Sequence, residues 1–261
     1  MKKILVFSIL SIFLTSFTVA QESKEDLVKA SQNPLANIIS VPFMNSTNFK
    51  SGPNGDRTGN LFNIQPVIPF FEGRLITRTI FGIPTNPIYT EESGTQTGFG
   101  DISFSAFYAP KSKGLIWGIG PAISIPTGGD NYGSGKWSAG PSLVALAMPG
   151  KWVLGGVISN VWSFAGDENR EDVNFMTFQP FINYNFPDFY LTFAPIMTAN
   201  WKAESGNQWT VPLGLGAGKL VKIGLPVNIK VEYFYNVVTP TNGYDYQIRA
   251  SVTALLPTSV F

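Results

Sequence analysis

The 261-residue sequence contains no cysteine and no histidine. Without cysteine there is no disulfide, no thiolate nucleophile and no cysteine-bound metal. Without histidine the usual general base of esterases and proteases is missing, because these enzymes most often take up a proton with an imidazole. Carboxylates, lysine and tyrosine remain as possible catalytic groups. The sequence pattern does not bring any pair of them together in a cleft. We therefore predict no enzymatic activity, no catalytic residue, no cofactor and no metal site.

Charged residues are also scarce, at 13% of the chain, and 18 basic residues nearly balance 17 acidic ones. A protein that binds nucleic acid needs an excess of positive charge to neutralise phosphates. We therefore predict no nucleic-acid partner.

Long apolar runs are absent except at the N-terminus. Lys2 and Lys3 precede an apolar stretch over residues 4–17, and Thr18-Val19-Ala20 supplies small residues for cleavage. This pattern predicts a signal peptide at residues 1–20 and export. A membrane anchor is the alternative, although the run is shorter than the roughly 20 residues that a spanning helix needs. Any other membrane span must be made of strands.

Residues 21–36 form a polar N-terminal segment with the pattern of a short helical turn. The sequence leaves two placements open: a poorly ordered periplasmic tail, or a segment that folds into the interior of the following domain.

Residues 37–261 contain about twelve short segments in which apolar and polar residues alternate. The stretch 227–237 shows this best, because side chains on a strand switch face at every residue and its apolar members fall on one face. The connections are alternately tight and long. This is typical of a closed antiparallel barrel with short periplasmic turns and longer extracellular loops, so we predict an all-β outer-membrane barrel. A soluble β-sandwich is the alternative. The expected strands are 38–49, 60–70, 75–84, 99–109, 115–125, 136–148, 152–164, 174–186, 190–201, 208–221, 227–238 and 246–257.

Two features predict irregularity. Several strands contain proline, which cannot donate to a ladder and therefore predicts kinks or bulges; these are Pro42, Pro66, Pro121, Pro141, Pro180, Pro195 and Pro212. The strand at 152–164 is apolar on both faces, so its register stays open.

Several short motifs in order resemble one family. They are Asn-Ile-Gln-Pro-Val-Ile-Pro-Phe at 63–70, Gly-Phe-Gly-Asp at 98–101, Ser-Gly-Lys-Trp-Ser-Ala-Gly-Pro-Ser at 134–142, Trp-Ser-Phe-Ala-Gly at 162–166, Asp-Val-Asn at 172–174, Gln-Pro-Phe at 179–181 and Trp-Thr-Val-Pro-Leu-Gly at 209–214. Over about residues 32–257 the chain resembles the bacterial outer-membrane family linked to the meta-cleavage pathway of phenol degradation, often mislabelled neuromedin U. The resemblance implies a barrel with a transport-like role and small aromatic or hydrophobic compounds as solutes. It carries no catalytic set.

The polar face of the alternating strands should line a lumen, because a charge facing lipid at mid-depth costs about 2–4 kcal/mol. The candidate lumen-lining residues are Asn63, Gln65, Arg78, Asp101, Ser103, Lys136, Gln179, Lys230, Glu232, Gln247 and Arg249. Lys230 and Glu232 lie two residues apart on one face and predict an internal salt-bridge network. Such a polar interior could hold the barrel rigid or act as a selectivity filter, and the sequence leaves both open. Glycines that face inward, such as Gly118 and Gly218, should widen the lumen locally.

We therefore predict a Gram-negative outer-membrane channel, porin-like and passive, for small solutes. The alternative is a structural or adhesive barrel with a blocked lumen. The expected partners are outer-membrane lipid and lipopolysaccharide, a small-molecule solute, and the barrel insertion machinery, which would recognise Phe261. The acidic stretch 167–172 could bind a hard divalent cation or be an ordinary solvated loop.

Overall fold

The computed structural model describes residues 24–88 and 94–258, so the predicted signal peptide at 1–20 and Phe261 lie outside the described residues. One helix, α1 (Lys24–Gln32), precedes a series of strands. The strand segments are β1 (Ile39–Ser51), β2 (Arg57–Ile64), β3 (Val67–Phe70), β4 (Leu75–Pro87), β5 (Thr95–Thr97), β6 (Ile102–Tyr108), β7 (Leu115–Ile125), β8 (Lys136–Ala147), β9 (Trp152–Gly166), β10 (Asn174–Asn185), β11 (Tyr190–Phe193), β12 (Met197–Asn200), β13 (Trp209–Ile223), β14 (Leu225–Val238) and β15 (Tyr246–Leu256).

The strands close into one antiparallel barrel of 12 strands, which confirms the predicted fold class. β2 and β3 act as one barrel strand interrupted at residues 65–66, β11 and β12 as another interrupted at 194–196, and β5 only extends the edge of β4. β1 pairs with β15 from Ile39↔Leu256 to Phe49↔Tyr246, and this pairing closes the sheet. Closure leaves no unpaired edge, as a spanning sheet in lipid requires.

Strict alternation separates the two faces of each strand. On β14, Val231 is 53% exposed and its neighbour Glu232 only 1%, because one side chain points out of the barrel and the next points in. The outward apolar residues Ile229, Val231, Tyr233, Tyr235 and Val237 are all exposed. An apolar exterior of this kind is stable only against lipid, so the barrel lies in the outer membrane.

Aromatic rings gather at both rims of this exterior. Trp152 and Tyr184 meet at 4.7 Å between ring centroids beside the short periplasmic turns. Trp201 and Trp209 meet at 5.4 Å at the opposite end, where the indole Nε1 of Trp201 also donates to Asn160. Such belts place apolar ring bodies at the lipid headgroups and their polar atoms in water.

Prolines disturb the barrel at some of the predicted levels. Pro66 and Pro195 lie in the two strand interruptions, and Pro212 follows a register shift at Val211. Pro121 instead pairs directly with Pro141, and the ladder continues in register through both, as it does through Pro42 and Pro180. At these four positions the register does not shift, so no bulge forms. The pairing on the other side of each strand is nevertheless interrupted, between β6 and β7 at Pro121, between β8 and β9 at Pro141, between β1 and β2 at Pro42 and opposite Pro180 at 194–196, so the predicted irregularity takes the form of missing ladder pairs.

The structure assigns the register of β9, which the sequence left open. Val153 is fully buried inside, and Val157 and Val161 face the lumen. Trp152, Leu154, Ile158 and Trp162 are exposed on the outer face. Apolar residues on both faces hid this alternation, because packing inside the barrel and lipid outside favour the same side chains.

Residues 24–36, here called the plug segment, enter the periplasmic end of the barrel. Lys24 at the start of α1 donates to the carbonyl oxygen of Pro187 in a short turn at 3.1 Å. Leu35 is buried among inward side chains that include Ile76, Phe107 and Val144. Of the two placements that the sequence left open, the interior is the one adopted.

Within residues 24–88 and 94–258, no helix is long and apolar enough to cross a membrane.

Candidate functional site: the barrel lumen

Two cavities follow one another along the barrel axis. The larger, of about 780 Å³, lies toward the long loops. The predicted residues Asn63, Gln65, Arg78, Asp101, Ser103 and Gln179 are found in its wall. The smaller, of about 200 Å³, lies toward the periplasm between the plug segment and the barrel, and Lys230 lines it.

The two cavities meet at a ring of side chains that line both. Arg78 belongs to it and donates from Nη2 to Oε1 of Gln65 at 2.6 Å. We call this ring the constriction; it consists of Met44, Gln65, Arg78, Val157, Gln179 and Ile196. Arg78 is brought here because β4 pairs with β3 at Val67 and with β6 at Ser105, which leaves its side chain on the inner face.

A buried charge cluster stands in the wall near the constriction. Arg249 Nε donates to Glu232 Oε2 at 2.8 Å, and Arg249 Nη2 donates to Glu232 Oε1 at 2.9 Å. The guanidinium therefore binds the carboxylate in a bidentate manner. Lys230 Nζ approaches the same carboxylate at 3.1 Å. Arg249 also donates to the carbonyl oxygen of Ala194 and lies 4.6 Å above the ring of Phe234. Glu232 therefore has two cationic partners, and the spacing of Lys230 and Glu232 is realised as a network.

Asp101 holds an extracellular loop in place rather than facing the solute path freely. Its carboxylate accepts hydrogen bonds from the backbone N–H of Gly128 at 3.0 Å and of Ser134 at 2.7 Å, and from the Ser134 hydroxyl at 2.7 Å. Arg170 ties the same loop to the next one by donating to the carbonyl oxygens of Asp130, at 2.7 Å, and of Gly133. The 126–135 loop is thus anchored beside the outer cavity, whose wall Ser134 joins.

Lys136 is likewise engaged at the outer rim. Its ammonium lies 3.5 Å from Asp172 Oδ1, while Lys202 lies 3.8 Å from Oδ2. The hydrogen bond from Ser163 and then the charges of Lys136 and Lys202 hold the pKa of the exposed Asp172 carboxyl below its usual range. In the described ranges, acidic side chains form no group of three or more that could hold a metal ion.

Gln247 makes a local contact in the wall: its Nε2 donates to Oδ1 of Asn48 at 2.7 Å across the β1–β15 pairing. The predicted set therefore divides into cavity-lining residues, a buried ion cluster, loop anchors and Gln247, which bonds to the neighbouring strand.

Sequence reasoning missed the plug contacts. Gln32 donates to Asn185 at 2.7 Å, and Asn228 donates to Ser31 at 3.2 Å. Alternation on β14 would have placed Asn228 inside, but nothing local could pair it with Ser31, which precedes it by 197 residues.

Two inward glycines, Gly118 and Gly218, do not widen the lumen as predicted. A Cβ atom on Gly118 would lie 3.1 Å from the side chain of Leu35, and one on Gly218 would lie 2.2 Å from the ring of Tyr190. The space that these glycines leave is filled by larger side chains from the plug segment and from β11.

Comparisons with known proteins agree with this fold. The outer membrane channel COG4313 from Pseudomonas putida F1 superposes with a TM-score of 0.60 at 15% identity, covering 84% of this chain and 95% of that one. The NanC porin superposes with a TM-score of 0.54 at 10% identity, covering 84% and 98%. At these identities the likeness concerns the fold.

Among proteins of curated function, none matches this chain significantly by sequence. The sequence does match one family, described as "Putative MetA-pathway of phenol degradation", over residues 43–169. That range contains the motifs at 63–70, 98–101, 134–142 and 162–166 on which the predicted resemblance rested. The resemblance is confirmed: residues 43–169 carry the sequence pattern of this phenol-degradation-linked family, and the chain folds as an outer-membrane β-barrel.

Proposed function

We propose that the protein is a passive outer-membrane channel for small solutes, with small aromatic compounds as its substrate class. The observation that carries the proposal is the pair of cavities that share the constriction, because together they trace a path along the barrel axis. A closed barrel with polar inward side chains can hold water along such a path, and a solute can then diffuse through it passively.

The lining of the outer cavity suits a small aromatic molecule. Phe107 and Phe175 offer ring faces and edges, while Ser103 and Ser105 offer hydroxyl groups nearby. A phenol-sized solute could stack on the former and hydrogen-bond to the latter. The matching family is described by its link to phenol degradation, which supports the same substrate class.

A second candidate function is a barrel with a closed lumen that serves structure or adhesion. The plug segment favours it, because Leu35 and the Gln32–Asn185 hydrogen bond fill the periplasmic end. Extracellular loops would then carry the function, and alanine substitutions in the 126–135 loop would reduce binding to a surface while no current is ever observed.

Planar-bilayer recording and proteoliposome flux separate the two. The purified barrel should show discrete conductance steps and should pass benzenesulfonate, an aromatic anion that crosses lipid poorly, faster than a sugar of similar mass. A protein lacking residues 24–36 should conduct more. Absence of current and of flux in both proteins would contradict the channel.

We further propose that the chain catalyses no reaction on its solute. Two acidic side chains of the lumen are held by other groups, Glu232 by Arg249 and Lys230 and Asp101 by loop N–H groups. Incubation of a candidate ester with the purified barrel should release no product above the buffer rate. Lipid and lipopolysaccharide at the outer face, and the insertion machinery during assembly, are its proposed partners.

A further inference from the structure

We infer that the constriction is a binding site for small organic anions, with Arg78 as its specificity-determining residue. The ligand class is a carboxylate or sulfonate on a compact apolar body. This inference rests on the proposed channel function and deepens it by naming the charge of the solute that binds where the two cavities meet.

The first argument is the charge state of Arg78. A guanidinium stays protonated at every physiological pH. Its hydrogen bond goes to the neutral amide of Gln65, and no ion pair found among residues 24–88 and 94–258 includes Arg78. The other arginine of the inner lumen, Arg249, is by contrast held by Glu232 at two points. Arg78 is thus a cation in a sheltered site whose counter-charge the described chain does not supply.

The second argument is the sign of the charges around it. In the described part of the chain, the residues that line the inner cavity include Arg78 and Lys230 and no aspartate or glutamate. Glu232, which stands behind Lys230, is fully buried and already serves two cations. An anion that reaches the constriction therefore meets a positive field that walls of low dielectric strengthen.

The third argument is the shape and polarity of the ring. Met44, Val157 and Ile196 supply an apolar half, whereas Gln65, Arg78 and Gln179 supply a polar half. A planar guanidinium presents N–H donors in a fork that matches a carboxylate or sulfonate, and the amide groups beside it offer further donors. The apolar half can meanwhile cover a ring or a short alkyl chain. An inorganic anion would use only the polar half.

The two ends of the outer cavity differ in charge, so the electrostatic attraction for an anion increases from the loops toward Arg78. Asp101, Glu171 and Asp172 line it together with Arg170 and Arg78, so its carboxylates cluster toward the loops and its unpaired cation lies at the inner end. An anion that passes the loops is drawn inward to Arg78 rather than retained at the mouth.

Calorimetric titration of the full purified barrel in detergent tests the site without requiring conductance. Three probes of matched chemistry are benzenesulfonate, benzyltrimethylammonium and methanesulfonate. Benzenesulfonate should bind best, because a charge-assisted hydrogen bond alone is worth about tenfold in affinity, and methanesulfonate should bind more weakly since it lacks the ring. Equal binding of the anionic and cationic aromatic probes would overturn the inference, and so would tighter binding of the cation.

Substitutions at one position provide the second arm. Arg78→Gln should weaken benzenesulfonate binding about tenfold or more, and Arg78→Lys should weaken it less, because the point charge remains but the fork is lost. Arg74→Gln removes the same charge from the exposed turn that precedes β4 and should bind like the unaltered protein. Unchanged binding in Arg78→Gln would refute the role of Arg78. The three-probe comparison on the unaltered barrel keeps the inference testable if that variant does not fold.

Reversal potentials in a potassium chloride gradient separate this inference from the proposed channel. The unaltered barrel should favour chloride over potassium, and Arg78→Gln should move the reversal potential toward zero. If no protein conducts, the channel proposal fails and the titrations alone decide the site. If the barrel conducts with a preference for potassium that Arg78→Gln does not change, the channel stands and the anion site is wrong.

Discussion

Arg249 and Glu232 face each other on neighbouring strands β15 and β14 and join through two hydrogen bonds of 2.8 and 2.9 Å inside the barrel wall. Both side chains are almost completely buried. This pair, extended by Lys230, ties the closing strand of the barrel to its neighbour close to the inner cavity.

Replacement of Arg249 should destabilise the barrel markedly. Arg249→Met leaves the carboxylate of Glu232 with Lys230 alone, and breaking a buried pair from one side costs about 3–5 kcal/mol. Urea unfolding in lipid vesicles measures the free energy of unfolding. The double variant Arg249→Met/Glu232→Leu should lose less than the sum of the two single losses; additivity within about 0.5 kcal/mol would show that the pair is not coupled.

Loosening the plug segment should raise the conductance. Leu35→Ala removes a buried side chain from the cluster with Ile76 and Phe107, and Gln32→Ala removes the hydrogen bond to Asn185. The double variant should show larger or longer current steps in planar bilayers. Glu25→Ala, which removes the exposed partner of the ion pair with Lys29 within α1, is the control and should conduct like the unaltered barrel. Equal currents in all three proteins would mean that the plug segment does not limit flow.

Asp101 should control the order of the 126–135 loop. Asp101→Asn replaces one of the two accepting oxygens by an NH₂ group, so it cannot accept from both Gly128 and Ser134 as the carboxylate does, at a cost of about 1–3 kcal/mol. Proteolysis within this loop should become faster. Asp130→Asn is the matched control, since Arg170 contacts the backbone carbonyl of Asp130. Identical cleavage rates for the two variants would argue against the anchoring role.

The outer rim should respond to acid at an unusually low pH. The pKa of Asp172 is lowered in the folded protein. The stabilisation that its carboxylate gives to the folded loops is therefore fully present above the ordinary aspartate pKa, and it is lost as the pH falls through the lowered value. The unaltered protein and Asp172→Asn should therefore differ in loop protection at pH 7 and converge only in strong acid. Carboxyl carbon shifts measured by NMR would give the titration directly, and a midpoint at or above the usual aspartate value would contradict the contacts with Ser163, Lys136 and Lys202.

Depth in the membrane should determine the cost of a charge on the outer face. Val231 and Val237 are exposed to similar extents, 53% and 51%, but Val231 lies near the middle of β14 and Val237 near its outer end. Val231→Arg should lower the free energy of unfolding by about 2–4 kcal/mol, and Val237→Arg should lower it by about 0–1 kcal/mol. Unfolding in lipid vesicles compares the two, and equal costs would show that the two positions do not differ in membrane depth.

Alternation and turn chemistry were sufficient for the architecture. The expected strand at 227–238 corresponds to β14, and the tight turn at 222–226 contains Gly224, whose positive φ of 77° suits a hairpin. Each of these signals is local, since a strand shows its two faces in its own sequence. The inward position of Asn63, Gln65 and Asp101 follows from the same parity.

The partners of those inward residues could not be predicted in the same way. The alternation of side chains places both Arg78 and Arg249 inside the barrel. Arg78 nevertheless bonds to the neutral amide of Gln65, whereas Arg249 bonds to the carboxylate of Glu232. The sequence by itself determined the strand count, the polar lumen and the lipid-facing exterior, because period-two patterning and turn residues act over a few residues. Only the tertiary structure decided that the plug segment occupies the lumen, that inward glycines make room for Leu35 and Tyr190, and that Arg78 stands at the constriction, because these depend on contacts between residues far apart in the chain.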